Sequence, residues 1–172
     1  PPLLLLMTKA TTSTLNCNLC HHVQGTGPST QGGPAGEEHR DFMRFTVDRL
    51  DHVVLTVRNL EVSASWYQRV LGMDLEEYGR NNRTALRFGG QKLNLRPYDA
   101  TGWDTAPHAL PGGNDLCFIT AITSTDVVEH LKACGVSVVE GPTARIGAIG
   151  PIISVYCHDP DENLIEIASY QG

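Results

Sequence analysis

Hydrophobic and polar residues alternate along residues 50–57, which have the sequence LDHVVLTV. This period of two predicts a β-strand that carries His52 on one of its faces. A helical spacing of hydrophobic residues follows, with Asn59 as its N-cap and Gly72 as the residue that ends it. Further strands are predicted at residues 73–78, 84–88 and 91–96. The first half of the chain therefore predicts the element order βαβββ.

The same pattern recurs later in the chain at a fixed offset. The number of residues between Gly72 and Gly135 equals the number between His52 and Asp115. The recurring elements are a strand at 115–122, a helix at 125–134 and strands at 136–141, 152–158 and 164–170. A duplicated unit buries its hydrophobic face against its own copy, with a pocket between the copies. The sequence therefore predicts an α+β domain over 49–170, made of the modules 49–96 and 114–170.

The offset between the modules becomes larger before their last strands. Asn94 and Glu166 occupy corresponding positions there, but their separation exceeds that of His52 and Asp115. The additional residues correspond to Pro142–Gly150, with the sequence PTARIGAIG. We expect this segment to be an inserted loop that closes over a site.

Composition excludes several classes of partner. The 172 residues are 41% hydrophobic and 19% charged, as in ordinary globular proteins. The net charge of −6 argues against nucleic acid or an anionic membrane as a partner. No apolar run has the length of a membrane span. The five cysteines lack the spacing of a disulfide framework, so we expect reduced thiols and a cytoplasmic location.

The first 45 residues differ in composition from the remainder. Residues 1–36 contain no acidic residue and are rich in Thr, Ser, Gly and Pro, so we expect 1–45 to be a disordered leader. Its segment Cys17–His21 matches the C-x-x-C-H pattern of c-type haem attachment. Because such a leader offers no apolar haem pocket, we interpret the match as chance, with adventitious zinc or nickel binding as the alternative. Targeting to an organelle by the leader stays open.

Several spaced motifs resemble one superfamily. Paired βαβββ modules, VLGM at the end of the first helix and DPDENLIEI near the end of the chain are similar to the vicinal-oxygen-chelate proteins. These include glyoxalase I, extradiol dioxygenases, fosfomycin-resistance enzymes and bleomycin-binding proteins. The resemblance covers Arg49–Tyr170, and RLDHVVLTV, LKACGV, EGP and GAIGPI look closest to the glyoxalase-domain-containing protein 5 group. It implies that the modules form an open, eight-stranded, barrel-like cup.

The resemblance also implies which residues hold a metal ion in that cup. His52 matches the family's first-strand histidine, and Glu166 matches the glutamate of its last strand. Asp115 stands where the second module commonly has histidine, and Asn94 stands where glyoxalase I has a glutamate. The implied ligands of one divalent ion are therefore His52, Asp115 and Glu166, with Zn²⁺, Mn²⁺, Ni²⁺, Fe²⁺ and Mg²⁺ all open. Asn94 is expected to hydrogen-bond the substrate.

Each candidate also has a simpler explanation. His52 alone fits a core histidine, and Asp115 alone fits a residue at the entry to a strand. Glu166 is harder to explain without a partner, because a lone carboxylate in an apolar strand is costly. Arg145 in the predicted loop suits a substrate carboxylate or phosphate, and His108 in the linker is a candidate substrate contact. A solvated surface position is the alternative for both.

Three functions follow from these residues. The first is a metal-dependent, glyoxalase-like lyase or isomerase that acts on a small, oxygen-chelating and anionic substrate, with Glu166 moving a proton. Because Asn94 replaces the second glutamate, we expect lactoylglutathione lyase activity to be absent or very slow. The alternatives are a non-catalytic binding module, like the bleomycin-binding relatives, and an oxygenase. A homodimer is expected for any of them.

Overall fold

The computed structural model describes residues 45–171. The predicted leader and the Cys17–His21 motif therefore lie outside the described residues, apart from Phe45. Within 45–171, no helix is both long and apolar enough to cross a membrane.

The first module has the predicted order βαβββ. Its elements are β1 (His52–Val57), α1 (Leu60–Leu71), β2 (Asp74–Tyr78), β3 (Arg83–Phe88) and β4 (Gln91–Pro97). Helix α1 begins where predicted, because the Asn59 side chain accepts a hydrogen bond from the Val62 backbone N–H at 3.0 Å. It ends at Gly72, whose φ of 64° is the left-handed conformation that glycine adopts without strain.

The second module repeats this order. Its elements are β5 (Asp115–Ile119), α2 (Ser124–Ala133), β6 (Val138–Ile146), β7 (Pro151–His158) and β8 (Leu164–Tyr170). The prediction of an inserted loop over Pro142–Gly150 was wrong, because β6 extends to Ile146 and only residues 147–150 form the turn. The additional residues pair with β7, as Arg145 does with Ile152, and shifts of register within β6 absorb the rest.

Each module folds into its own four-stranded sheet, with orders β1-β4-β3-β2 and β5-β8-β7-β6. The pairs β1–β4 and β5–β8 are parallel, and the other neighbours are antiparallel. Among the described residues the sheets do not close into a barrel, which is consistent with the open cup of the expected α+β, glyoxalase-like fold.

Alternation along the strands divides each sheet into two faces. One face of each sheet supplies hydrophobic side chains to a core shared with both helices, including Leu55, Leu93, Val155 and Ile165. The opposite faces carry the polar candidates, since His52 and Asn94 alternate with the core residues of the first sheet, and Glu166 alternates with those of the second. The fold thus holds these candidates on the sheet faces that do not form the core.

Candidate functional site

Glu166 lies in the middle of β8, between the core residues Ile165 and Ile167. It pairs with Cys117 on β5 and with Tyr156 on β7, so these three side chains share one face of the second sheet. Ser154 lies two residues before Tyr156 on the same face, and its hydroxyl donates a hydrogen bond of 2.5 Å to Glu166 Oε1. The carboxylate is therefore held in one orientation by a buried donor.

A cavity of about 380 Å³ opens on this face. Glu166, Cys117 and Tyr156 line it together with Arg145 on β6 and Tyr170 at the end of β8. Apolar walls are formed by Ile119, Ile146, Ala148 and Ile152. The structure thus brings two predicted site residues, Glu166 and Arg145, to one cavity with polar and apolar walls.

Arg145 is fixed by its neighbours, contrary to the prediction of a cation on a loop. It is a strand residue because the hairpin of β6 and β7 continues through it. Its Nη2 lies 2.5 Å from Glu140 Oε1, and its Nε donates to the Tyr156 hydroxyl at 3.2 Å. The hydrogen bonds to Tyr156 and then Glu140 raise the pKa of Arg145, so the cation is permanent.

Cys117 lies beside the carboxylate and is a protonated thiol at neutral pH. Burial, and then the negative charge of Glu166, raise the pKa of Cys117 to about 11. A thiolate is thus disfavoured at this position near pH 7. Sequence reasoning missed Cys117, Ser154 and Tyr156, although their alternation along β5 and β7 puts them on the face that carries Glu166 once the register is known.

His52 and Asn94 belong to the first sheet. His52 is the first residue of β1, is exposed, and its Nδ1 lies 2.8 Å from Asp51 Oδ1. This hydrogen bond is the main cause that lowers the pKa of Asp51. Asn94 is 5% exposed, and its Oδ1 is buried without a hydrogen-bond partner among the described residues. A buried acceptor left without a donor or a cation is costly, so Asn94 Oδ1 is suited to a bound group.

Asp115 and His108 are associated with different sheets. Asp115 is exposed at the start of β5, two residues before Cys117 and on the same face as Glu166. His108 lines a cavity of about 480 Å³ between the linker and β1, where Val54 and Thr56 also lie. His108 therefore faces the first sheet, whereas Glu166 faces the second.

The predicted metal ligands do not form a set within one chain. In the part of the chain that the structure describes, no three His, Cys, Asp or Glu side chains are close enough together to hold a metal ion. The candidates divide instead between two sheets, with His52 and Asn94 on the first and Asp115 and Glu166 on the second. One chain alone thus does not fit the ion, although each sheet offers oxygen or nitrogen donors of the kind that divalent ions bind.

Comparison with known proteins identifies the family. Residues 49–167 match the family model of the Glyoxalase/Bleomycin resistance protein/Dioxygenase superfamily. The chain is 43% identical to a virulence protein of Salmonella typhimurium over 133 residues, which are 77% of this chain and 92% of that protein. The crystal structure of the Salmonella protein has a TM-score of 0.71 at 44% identity, and the match covers 74% of this chain and all of that one.

Two further relatives bear on the range of proteins in this group. The chain is 43% identical to a glyoxalase domain-containing protein of Mycosarcoma maydis over 142 residues, which cover 81% of this chain and 78% of that protein. It is 30% identical to a lactoylglutathione lyase of Neisseria meningitidis over 125 residues, or 69% of this chain and 88% of that enzyme. The proposed affinity with the glyoxalase-domain-containing protein 5 group stays a prediction. The chain belongs to the Glyoxalase/Bleomycin resistance protein/Dioxygenase superfamily, as its paired βαβββ modules predicted.

Proposed function

We propose that this protein is a metal-dependent enzyme of the lyase or isomerase type, which acts on a small, anionic, oxygen-chelating substrate. The observation that carries the proposal is the cavity in which the Glu166 carboxylate and the Arg145 guanidinium lie together. It combines apolar walls with a few polar groups, which is the usual composition of a small-molecule site. A carboxylate and a fixed cation in such a cavity suit proton transfer on an anion.

The chain's own residues have distinct roles in this proposal. Glu166 accepts a proton from the substrate and returns it, while the Ser154 hydroxyl keeps the carboxylate in position. Arg145 attracts the negative group of the substrate, and Glu140 and Tyr156 keep its guanidinium at the cavity. A divalent ion, when bound, would polarise two adjacent substrate oxygens and stabilise negative charge on them.

We further propose that a second copy of the chain completes the site. The first-sheet donors, His52 and Asn94, are not in the cavity of Glu166, and a single chain therefore presents two half-sites. Hydrophobic side chains are exposed beside this cavity, with Ile146 at 83% and Ile149 at 85% of full exposure. Contact with another copy would remove this apolar surface from water and would bring the first sheet of one chain to the second sheet of the other.

Metal content and oligomeric state test this proposal together. The full chain, purified without chelator and reconstituted separately with Zn²⁺, Mn²⁺, Ni²⁺ and Fe²⁺, should bind about one ion per chain. Light scattering coupled to gel filtration should give the mass of a dimer. A monomer, or a protein that retains none of these ions, would contradict it.

A non-catalytic binding module is the second candidate, and one observation favours it. Arg145 is already paired with Glu140, and Glu166 with Ser154, so both charged groups are satisfied without a substrate. A binding module of this kind would retain its ligand unchanged and would not need His52. Loss of metal without loss of ligand binding in His52→Ala would favour the module, whereas loss of both favours the enzyme.

A further inference from the structure

A second cavity, of about 330 Å³, lies where the two modules meet near the end of α1. Its walls are mainly hydrophobic and include Phe88, Phe118 and Ile122. Phe88 and Phe118 contact each other edge to face, with their ring centroids 5.3 Å apart. The polar residues at this cavity include Arg69 and His130. It is separate from the Glu166 cavity, with which it has Ile119 in common.

The internal repeat shows what occupies the corresponding position in the other module. The offset that relates Gly72 to Gly135 also relates Tyr67 on α1 to His130 on α2. The Tyr67 hydroxyl donates to Asp159 Oδ2 at 2.8 Å, so this position on α1 binds a carboxylate of the chain itself. Asp159 begins the turn between β7 and β8, which closes over α1.

The corresponding turn in the first module, between β3 and β4, is shorter than the turn that begins at Asp159. Ala85 pairs with Asn94 as Tyr156 pairs with Glu166, so the position that corresponds to Asp159, three residues after Tyr156, is Phe88. The turn that follows Phe88 consists of two glycines without side chains. The space beside His130 that would correspond to a carboxylate is therefore open, and phenylalanine rings line it.

The Arg69 guanidinium at this opening suits an acid, whereas His130 does not contribute a donor. His130 Nε2 lies 3.0 Å from the Val70 carbonyl oxygen, which can only accept, so Nε2 donates its proton there and the neutral ring offers a ligand no second N–H. Arg69 donates from Nη1 to the Cys134 carbonyl oxygen at 2.6 Å and keeps further N–H groups for a ligand. A cation above an apolar cavity complements an apolar molecule that ends in a negative group.

The repeat also indicates that a ligand of this cavity carries one acidic group and not two. Ser63 donates to a second buried carboxylate, that of Asp161, at 2.9 Å, and Arg58 assists it. The same offset relates Ser63 to Asp126, which is itself acidic, and Arg58 to Ala121, which has no charge. A second carboxylate would thus find no donor at the corresponding place.

We propose that the cavity between the modules binds a small monocarboxylate with an aromatic or branched apolar body. The body packs against Phe88 and Phe118, and the carboxylate meets the remaining N–H groups of Arg69. This site is independent of the proposed metal-dependent reaction, because none of its polar groups belongs to the Glu166 cavity.

Calorimetric titration with 1-naphthylacetate tests the site in the full chain. The wild type should bind it in the micromolar to low millimolar range and should bind the neutral 1-naphthylacetamide about tenfold more weakly, since one charge-assisted contact is lost. Arg69→Gln should weaken the acid by about five- to tenfold and leave the amide unchanged. Arg69 and His130 are exposed, so neither Arg69→Gln nor His130→Ala should impair folding.

Arg145→Gln is the matched control, because it removes a cation from the other cavity. It should leave the affinity for 1-naphthylacetate unchanged, and methyl NMR signals of Ile122 and Met73 should shift on binding while that of Ile152 does not. Equal affinity for acid and amide, a loss in Arg145→Gln, or no heat of binding at millimolar acid would each overturn the proposal.

Discussion

The hydroxyl of Tyr67 should contribute about 2 kcal/mol to the free energy of unfolding. Tyr67 is fully buried, and its hydroxyl donates at 2.8 Å to the buried carboxylate of Asp159. The Tyr67→Phe variant keeps the ring and removes this single donor. Burial, and then the charge of Asp159, raise the pKa of Tyr67 far above its ordinary value, so the hydroxyl stays a donor throughout the range of stability measurements.

The magnitude follows from what Asp159 retains in the variant. Its Oδ2 keeps a hydrogen bond of 2.8 Å from Asn163 Nδ2, and its Oδ1 keeps two backbone N–H donors at 2.9 Å. The carboxylate is therefore not left unpaired, and the loss is that of one hydrogen bond to a charged group, about 1.5–3 kcal/mol. Complete loss of the partners would cost more.

Urea unfolding followed by tryptophan fluorescence measures this difference, because Trp66 contacts the Tyr67 ring. Tyr156→Phe is the matched control, since its hydroxyl accepts from the exposed Arg145 and should contribute less than about 0.5 kcal/mol. A Tyr67→Phe variant as stable as the wild type, or no more affected than Tyr156→Phe, would refute this account of the buried turn.

Three further predictions concern the candidate site. Because Cys117 has a pKa of about 11, its alkylation by iodoacetamide at pH 8 should be roughly a hundredfold slower than that of a thiol with a pKa of 9. The Glu166→Gln variant should accelerate this alkylation, and an unchanged rate at Cys117 would contradict its contact with Glu166. Cys157, whose pKa is also about 11, is the control and should not respond to Glu166→Gln. His52→Ala should lose bound metal by elemental analysis while its circular dichroism and melting temperature match the wild type, since His52 is exposed; retention of the ion would exclude His52 as a ligand. Wild type should isomerise the methylglyoxal–glutathione hemithioacetal about 10²–10⁴-fold more slowly than an enzyme with both carboxylates, and Asn94→Glu should tighten metal binding; rapid, His52-dependent turnover by the wild type would show that this substrate class was wrongly excluded.

The sequence predicted the architecture because its signals are local. The alternation in β1, the cap at Asn59, the stop at Gly72 and the fixed offset between the modules each depend on neighbouring residues or on direct repetition, and the structure has the corresponding elements. The error at Pro142–Gly150 arose because a count of additional residues does not show whether they loop out or pair. In the structure these residues pair with β7, and register shifts in β6 accommodate the rest, so the hairpin is longer.

The candidate site was less accessible to prediction, since it depends on how sheets face one another. The faces of Glu166 and Asn94 followed from alternation, but the contacts of Glu166 with Ser154 and of Arg145 with Glu140 depend on strand register. Neither alternation nor spacing reveals that His52 and Glu166 lie on separate sheets within one chain. The buried network around Asp159 was also missed, because its partners Tyr67 and Ser63 lie in the other module, on α1.

The central claim is that two chains together form one metal site, and mixing two inactive variants tests it most directly. His52→Ala and Glu166→Ala each remove a donor from a different sheet. Mixed in equal amounts and allowed to exchange subunits, they should recover about one quarter of the wild-type metal content, because half of the dimers are mixed and each mixed dimer has one intact site. The control mixes His52→Ala with a variant that carries both His52→Ala and Glu166→Ala. Every chain in this mixture lacks His52, so the mixture should recover no metal. An equal mixture of the single variants that binds no metal, although wild type binds one ion per chain and subunit exchange is complete, would contradict the shared site.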